Sequence, residues 1–501
     1  MPRVAKSTPS PSGRITRGDE AEIRVAQTWF WEGNFARRGI NLKRHYQAEA
    51  MQVTDLDLLA IELGPALQAR RFIGESKTGM SSSAPRPLDR VIWLRGLMDL
   101  MGDVVGAELT SARRPPASLA DLAAPLAVVF QSLEDLERRE GRLRMDRLAD
   151  RGSQGPGAFL ATARTQATVK SEPDLDRAFW FVRSDVWFLD PWMAMKRLIA
   201  VIETMSRRWT PRLVDDEQAA VRWILAESVA VFALQVCIAG APSLRLSPPE
   251  YGVLVANRLA DPGIDPRRMH QLSDAIDRYV GGLLAKLEAP RALVVESMGA
   301  FVPTPPPYAE ALAETARRIA SRVDVARVLP RYVDLMIHER LVRNREPDSG
   351  LIFELDGAHP TLLGRAARLL AAFLSGQAGL PRAVAESLGE ALSRPTPGLM
   401  RPAGIRGATA MIEGPASSTS PAQPDQDRGL AVQAPASDGP PISTEDPGPS
   451  LELPSTTGRT ARTPDGGLWQ FAGNPDQADR ARDNNEPGAP TEDGVDAPDH
   501  R

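Results

Sequence analysis

The chain has 501 residues, a formal net charge of −4 and one cysteine, and 42% of its residues are hydrophobic. A lone cysteine, Cys237, excludes a disulfide framework and a multi-cysteine zinc site, so the composition indicates a reducing, cytoplasmic setting. The charge is uneven, because residues 401–501 hold 8 Lys and Arg against 16 Asp and Glu, a net charge of −8 that leaves +4 for residues 1–400. A weakly basic body is compatible with binding nucleic acid through a local patch but does not require it.

The sequence does not predict a membrane partner. No charged and then apolar signal segment opens the chain,. The longest apolar run, residues 221–241, contains Arg222 and Glu227. We therefore expect this run to form a buried helix and not a membrane span.

The first predicted elements are a flexible arm and a helix. Residues 1–17 are basic and rich in Pro and Ser, without apolar periodicity,. Apolar residues then recur at helical spacing from Gly18 to Phe35, after acidic residues that suit the first turn of a helix,. This spacing predicts a helix that ends at the Gly39 break, followed by a first strand over residues 41–46.

Two apolar runs, residues 53–63 and 71–77, are rich in Leu, Ile and Phe and predict two further strands,. The turn residues Gly64 and Pro65 separate them. Strands joined by so short a turn are expected to pair as a hairpin.

These two predicted strands carry charged residues at alternate positions. Asp55 and Asp57 fall on one face of the first strand, and Glu75 and Lys77 on one face of the second,. A hairpin would hold the carboxylates and the ammonium together on rigid backbone. Such oxygen ligands can bind a divalent metal and direct a water at a phosphodiester. The alternative is the solvated face of an ordinary amphipathic hairpin.

The next elements complete a predicted α/β domain over residues 18–140. Pro87 begins a helix that Gly102 ends, and residues 104–110 predict a fourth strand,. A helix capped by Ser and Asp is then expected from residue 118 to about residue 140. The predicted order is helix, three strands, helix, strand and helix.

The rest of the chain divides into three predicted parts. Residues 141–172 contain a GSQGPG stretch and polar residues, which predict a linker,. Residues 173–400 show repeated helical apolar spacing and predict an all-helical domain,. Residues 401–501 are acidic and rich in Pro, Gly and Ser, which predicts a disordered tail with a short docking motif, GLWQFA, at 467–472,. The tail or the helical domain could serve an unknown protein partner.

The order of elements and two motifs resemble the PD-(D/E)XK phosphodiesterase superfamily. The motifs are Gly18-x-x-x-Glu22 in the first helix and Asp57-x(17)-Glu75-x-Lys77 in the hairpin. Within that superfamily, residues 18–140 are most similar to the restriction-endonuclease-like branch that includes archaeal Holliday-junction resolvases and Mrr-type enzymes. The resemblance implies an endonuclease that depends on Mg²⁺ or Mn²⁺, acts on DNA more readily than RNA, and serves in restriction, defence or repair.

The resemblance also assigns residue roles. It implies that Asp57 and Glu75 ligate Mg²⁺, and that Lys77 holds or deprotonates the attacking water. Glu22 would reach the same centre from the first helix. Asp55 is the alternative to Asp57 as the aspartate ligand.

Other partners and functions remain open at this point. Arg90 and Arg95 on the following helix are candidates for phosphate contacts, with an exposed helix face as the alternative,. Cutting two strands takes two centres, which is consistent with a homodimer. The alternative functions are a non-catalytic nucleic-acid-binding or scaffold protein that retains a nuclease-like fold, and a nuclease-like toxin or effector. Metal binding and DNA nicking would separate the catalyst from the scaffold.

Overall fold

The computed structural model describes residues 15–46, 49–77, 86–112, 114–212, 215–260, 304–347, 349–355 and 360–389, with short pieces between 275 and 286. Most of the predicted arm at 1–17 lies outside the described residues, as does the whole predicted tail at 401–501 with its motif at 467–472. The N-terminal elements, in chain order, are α1 (Arg17–Trp31), β1 (Phe35–Tyr46), β2 (Glu49–Leu63), β3 (Ala69–Lys77), α2 (Pro87–Met101), β4 (Val104–Ser111), α3 (Ala117–Ala123), β5 (Val128–Ser132) and α4 (Leu133–Leu143).

The five strands form one mixed sheet in the order β1-β2-β3-β4-β5. The pairs β1/β2 and β2/β3 are antiparallel, and β3/β4 and β4/β5 are parallel, with α2 and α3 as the crossovers between the parallel strands,. The turn between β2 and β3 is closed by hydrogen bonds from the Gly64 amide to the Gln68 carbonyl and from the Leu67 amide to the Gly64 carbonyl, both 2.9 Å. The predicted hairpin is therefore confirmed.

The first helix ends eight residues earlier than the apolar spacing predicts. Its start is held by a capping box between Thr16 and Asp19,. The chain leaves the helix at Gly33, whose φ of 113° is accessible to glycine, and the Asn34 amide then donates to the Trp29 carbonyl at 3.0 Å,. Residues 35–39, predicted to be helical, instead belong to β1, so the predicted helix end at Gly39 is wrong.

The single long helix predicted over residues 118–140 is also wrong. The structure divides this stretch into α3, the short strand β5 and α4. Ala127, at a φ of 57°, turns the chain into β5, and Ser132 with Asp135 forms a capping box that begins α4,. A five-residue strand between two helices carries too little periodicity to be seen in a helical pattern. The sheet therefore has one strand more than predicted.

The remainder is mostly helical in the described residues. Its α-helices are α5 (Met145–Leu148), α6 (Pro156–Val169), α7 (Pro173–Arg183), α8 (Pro191–Arg208), α9 (Asp216–Gly240), α10 (Pro248–Ala260), α11 (Ala309–Ala320), α12 (Val323–Ile337), α13 (Ser349–Phe353), α14 (Pro360–Ala378) and α15 (Arg382–Gly389). The predicted linker at 141–172 instead contains α5 and α6. Helix α6 packs against α9, and its buried residues include Ala158 and Val169. The linker prediction is wrong because the GSQGPG glycines are part of a folded segment, in which Gly152 has a φ of 68°.

Helix α9 forms the centre of the helical part. It is long and apolar enough to cross a membrane, and 89% of its most apolar window is buried inside the protein. Its buried residues include Glu227 and Cys237. The predicted buried helix at 221–241 is thus confirmed.

Candidate active site

The hairpin register determines where the charged residues meet. Leu58 on β2 pairs with Gly74 on β3, so the neighbouring residues Asp57 and Glu75 lie next to each other at the end of this ladder. Lys77 follows two residues later on β3 and shares the face of Glu75. The sequence predicted this grouping from strand alternation together with the expected hairpin pairing of the two strands.

The side chains of these three residues are in direct contact. The Lys77 Nζ atom lies 3.2 Å from Asp57 Oδ2 and 3.0 Å from Glu75 Oε1. The backbone amide of Ser76 also donates to Asp57 Oδ2, at 3.1 Å, which fixes the aspartate against β3. We call Asp57, Glu75 and Lys77 the carboxylate–lysine cluster.

The cluster opens to solvent through its lysine. The Lys77 side chain is 40% exposed, whereas those of Asp57 and Glu75 are 10% and 5% exposed. Asp57 and Glu75 are therefore the largely buried members of the cluster, and Lys77 is its most accessible member.

The two candidate arginines of α2 have different positions. Arg90 reaches the cluster, with its NH1 atom 3.0 Å from Glu75 Oε1. Arg95 instead forms an ion pair with Asp99, one turn further along the same helix, at 2.5 Å. Of these two, Arg90 is the one positioned to act at the cluster.

Glu22 lies in the electrostatic field of the cluster. Burial raises the pKa of the Glu22 carboxyl to about 8, and the negative charge of Asp57 adds to the increase,. The cations Arg38 and Lys77 oppose it. Glu22 therefore interacts electrostatically with the cluster, and its carboxyl keeps its proton up to neutral pH.

Asp55 interacts with other residues than Asp57 does. It pairs with Asn41 across the β1/β2 ladder. Its charge acts on Arg183, whose pKa is lowered to about 10 by burial and by Arg37, while Glu227 and Asp55 oppose the decrease. Of the two aspartates that the sequence left open, Asp57 is the one in contact with Lys77.

The charges inside the cluster shift each other's ionisation. Burial raises the pKa of Glu75, and Asp57 adds to this, while Lys77 and Arg90 oppose it. Burial alone would lower the pKa of Lys77, but the charges of Asp57 and Glu75 and their hydrogen bonds together raise it above its ordinary value. Lys77 is therefore an ammonium at neutral pH in this structure.

The donor set fits a hard divalent cation. Glu75 Oε2 is buried and has no hydrogen-bond partner, which leaves an acceptor to be satisfied,. Carboxylate oxygens are the ligands that Mg²⁺ takes in proteins. The ligand atoms of Glu22, Asp57 and Glu75 do not all lie within 4.8 Å of one another, so Glu22 does not join the other two as a third close ligand.

In the described part of the chain, a group that meets this distance criterion is formed by Glu227, Asp334 and His338.

That second group is an ion-pair clamp. Glu227 on α9 and Asp334 on α12 both contact the buried Arg37 of β1, at 2.5 and 2.6 Å, and His338 Nε2 lies 3.3 Å from Glu227. The Arg37 guanidinium contacts both carboxylates, so a metal ion would have to compete with it for these oxygens. Asp334 and His338 are four residues apart, a spacing visible in the sequence, but their arginine and glutamate partners come from distant elements.

A cavity of about 770 Å³ lies elsewhere, between the sheet and α12. Trp29, Phe72, Glu108 and Arg327 are in its lining. Phe72 lies three residues before Glu75 on β3, and Glu108 on β4 pairs with Gly74, the residue before Glu75. Both residues therefore lie on the other face of the sheet from Glu75, and so does the cavity that they line. None of the cluster residues lines it.

Comparisons of the chain with protein families, with curated proteins and with solved structures find no match. The functional conclusion therefore depends on the geometry of the carboxylate–lysine cluster.

Proposed function

We propose that this protein is a metal-dependent nuclease of the PD-(D/E)XK type, with a restriction-endonuclease-like N-terminal region that hydrolyses phosphodiester bonds in DNA. The observation that carries the proposal is the contact of one ammonium, Lys77, with two largely buried carboxylates, Asp57 and Glu75, on neighbouring strands. Burying two acids together is costly unless cations compensate them. A fold that keeps them together beside an accessible lysine has the groups that this chemistry requires.

Asp57 and Glu75 are the residues that would hold Mg²⁺ or Mn²⁺. The ion would neutralise charge that develops on the phosphate and supply a nucleophilic water at neutral pH. The unpartnered Glu75 Oε2 is the acceptor that supports this assignment.

Lys77 acts on the substrate as a positive charge. An ammonium has three N–H donors, and the two carboxylates account for two of them,. The third can donate to a phosphate oxygen, and this interaction strengthens as negative charge builds up in the transition state. The raised pKa keeps the proton on Lys77, so we assign it to binding and charge stabilisation.

Arg90 balances Glu75 from the other side. Its contact at 3.0 Å offsets the negative charge while the site is empty of substrate, and the side chain is partly exposed. On DNA binding, Arg90 can exchange the carboxylate for a backbone phosphate, which adds to affinity without reading sequence.

A second candidate function has its own observation. Lys77 and Arg90 both contact Glu75 Oε1, so this carboxylate is already neutralised by protein cations. The same arrangement would suit a non-catalytic protein that holds DNA on a nuclease-like fold. Metal binding distinguishes the two functions.

The test is nicking of supercoiled plasmid DNA with Mg²⁺. We expect Lys77→Ala and Glu75→Gln to lose cleavage by about 100-fold or more, and Lys77→Ala to keep most of its DNA affinity. Glu62→Gln is the matched control, because Glu62 is a β2 glutamate paired with Arg70 outside the cluster, and it should cleave normally.

Metal binding is measured separately by thermal unfolding. Mg²⁺ at 100 times its dissociation constant should stabilise the wild type by about 2.7 kcal/mol. Glu75→Gln should lose this stabilisation, and Glu62→Gln should retain it. DNA binding without cleavage or metal stabilisation in the wild type would favour the scaffold and contradict the nuclease.

A further inference from the structure

The outward face of α2 carries an unusual apolar stripe. Leu88, Ile92 and Leu100 are 39%, 59% and 39% exposed, and with Gly96 they follow one another at four-residue intervals. The opposite side of α2 packs on the sheet through buried residues such as Val91 and Leu94. A solvent-facing helix surface is normally polar, so a continuous apolar row on this side indicates a surface that another helix covers.

The glycine in the row is not required by the fold. A Cβ built at Gly96 would meet no heavy atom within 4 Å. Glycine in a helix interior destabilises the helix relative to alanine. Its effect here is to leave a notch between Ile92 and Leu100, which lets a second helix approach closely.

We propose that this stripe is the interface of a homodimer, in which α2 of one copy crosses α2 of a second copy near Gly96. A row at four-residue spacing is the ridge that packs into the groove of a partner helix in the commonest helix crossing. With a two-fold axis at the notch, Ile92 of each copy lies beside Leu100 of the other. The surface is thus complementary to itself, which a two-fold interface requires.

The charges beside the stripe favour the same partner. Arg95 and Asp99 flank the notch on one side and already form an intrahelical pair. In the antiparallel crossing, Arg95 of one helix comes next to Asp99 of the second copy, so the two pairs can combine into a four-charge network. A different protein would need its own matching arrangement, whereas a second copy supplies it by symmetry.

The interface would also explain how two strands are cut. Arg90 of α2 contacts Glu75 of the carboxylate–lysine cluster. A dimer formed through α2 would therefore contain two clusters, each next to the shared interface helix. This consequence rests on the proposed nuclease function, but the dimer itself does not.

The first test is the mass of the full-length protein by sedimentation, over a range of concentrations. We expect a dimer for the wild type and a dissociation constant raised about 30-fold or more in Ile92→Glu, because a charge would be buried at the interface. Ile92 is exposed, so the variant should keep the wild-type circular dichroism spectrum. A wild type that stays monomeric at every concentration would overturn the proposal.

The second test locates the contact by disulfide crosslinking. The native cysteine, Cys237, is buried, and burial raises the pKa of its thiol, so it does not compete. Gly96→Cys should oxidise to a covalent dimer, because the axis places the two residues within the distance that a disulfide spans. Gly376→Cys is the matched control, since Gly376 is also an exposed helical glycine with no atom within 4 Å of its Cβ position. Equal crosslinking of the two variants would overturn the α2 interface.

The dimer and the nuclease can fail separately. Ile92→Glu should still nick one strand but convert less plasmid to the linear form. A wild type that is dimeric but does not cleave would support the interface and contradict the proposed function. A wild type that cleaves but stays monomeric would support the function and contradict the interface.

Discussion

The ammonium of Lys77 lies 3.2 Å from the Asp57 carboxylate, although the two residues belong to different strands and are 20 positions apart in the chain. The contact follows from the turn at Gly64, which sets the register of β2 against β3. A register shift of one residue would move Asp57 to the other face of the sheet. The geometry of the hairpin is therefore also the geometry of the proposed site.

The two aspartates of β2 should differ in activity. We expect Asp57→Asn to reduce plasmid nicking by about 100-fold or more, because it removes a charge that contacts Lys77 and would hold the metal,. Asp55→Asn should stay close to wild type, since Asp57 is the aspartate that contacts Lys77, whereas the charge of Asp55 acts on Arg183. Nicking rates at saturating Mg²⁺ provide the measurement, and a greater loss in Asp55→Asn would show that the assignment of the aspartate is wrong.

Glu22 should make stability depend on pH. Its pKa is raised from the ordinary 4.5 to about 8 in the folded protein, so the folded state holds the proton more tightly than the unfolded chain does. The resulting stabilisation is fully present below about pH 4.5 and is lost as the pH rises through about 8,. Glu22→Gln, which stays neutral, should therefore gain thermal stability relative to wild type as the pH increases from 5 to about 9.

The unfolding temperatures of the two proteins should be measured with a chelator present, so that no metal contributes. Glu20→Gln is the control, because Glu20 is an exposed residue on the same helix. The Glu22→Gln difference from wild type should change with pH more than the Glu20→Gln difference does. A Glu22→Gln difference that does not change with pH would rule out a buried, proton-holding Glu22.

The buried clamp should contribute strongly to stability. Arg37→Met leaves Glu227 and Asp334 buried without their cation, and we expect a loss of about 3–5 kcal/mol in the free energy of unfolding,. Arg382→Met, which breaks an exposed pair with Glu386, should leave it close to the wild-type value,. Urea denaturation provides both values. Similar effects for the two variants would show that the clamp does not hold β1 to the helical part.

Gly74 should be intolerant of a side chain. A Cβ there would lie 2.7 Å from the Trp29 ring and 3.0 Å from Leu58, so the neighbouring side chains must shift. We expect Gly74→Ala to cost about 1–3 kcal/mol in the free energy of unfolding. At Gly106, on the neighbouring strand, the nearest atom is the Phe72 ring at 3.4 Å. Gly106→Ala should be the milder change, and an equal cost in urea denaturation would contradict the close approach of Trp29.

Local patterns in the sequence predicted the hairpin and α2. Strand alternation placed Glu75 and Lys77 on one face, and the turn residues at Gly64 and Pro65 predicted where the chain reverses. Pro87 and Gly102 correctly marked the two ends of α2, with Gly102 in a left-handed conformation at a φ of 78°. These features depend on residues that are neighbours in the chain, so the sequence alone determines them.

Tertiary structure decided the features that depend on distant residues. The contacts of Arg37 reach residues 190 and 297 positions away, and no local pattern indicates them. The fifth strand, β5, is stable as a strand because β4 supplies its hydrogen bonds, although its own sequence is only five residues long. Periodicity and caps record what a segment can form by itself, whereas the partners of a buried charge or of a short strand are chosen only when the whole chain packs.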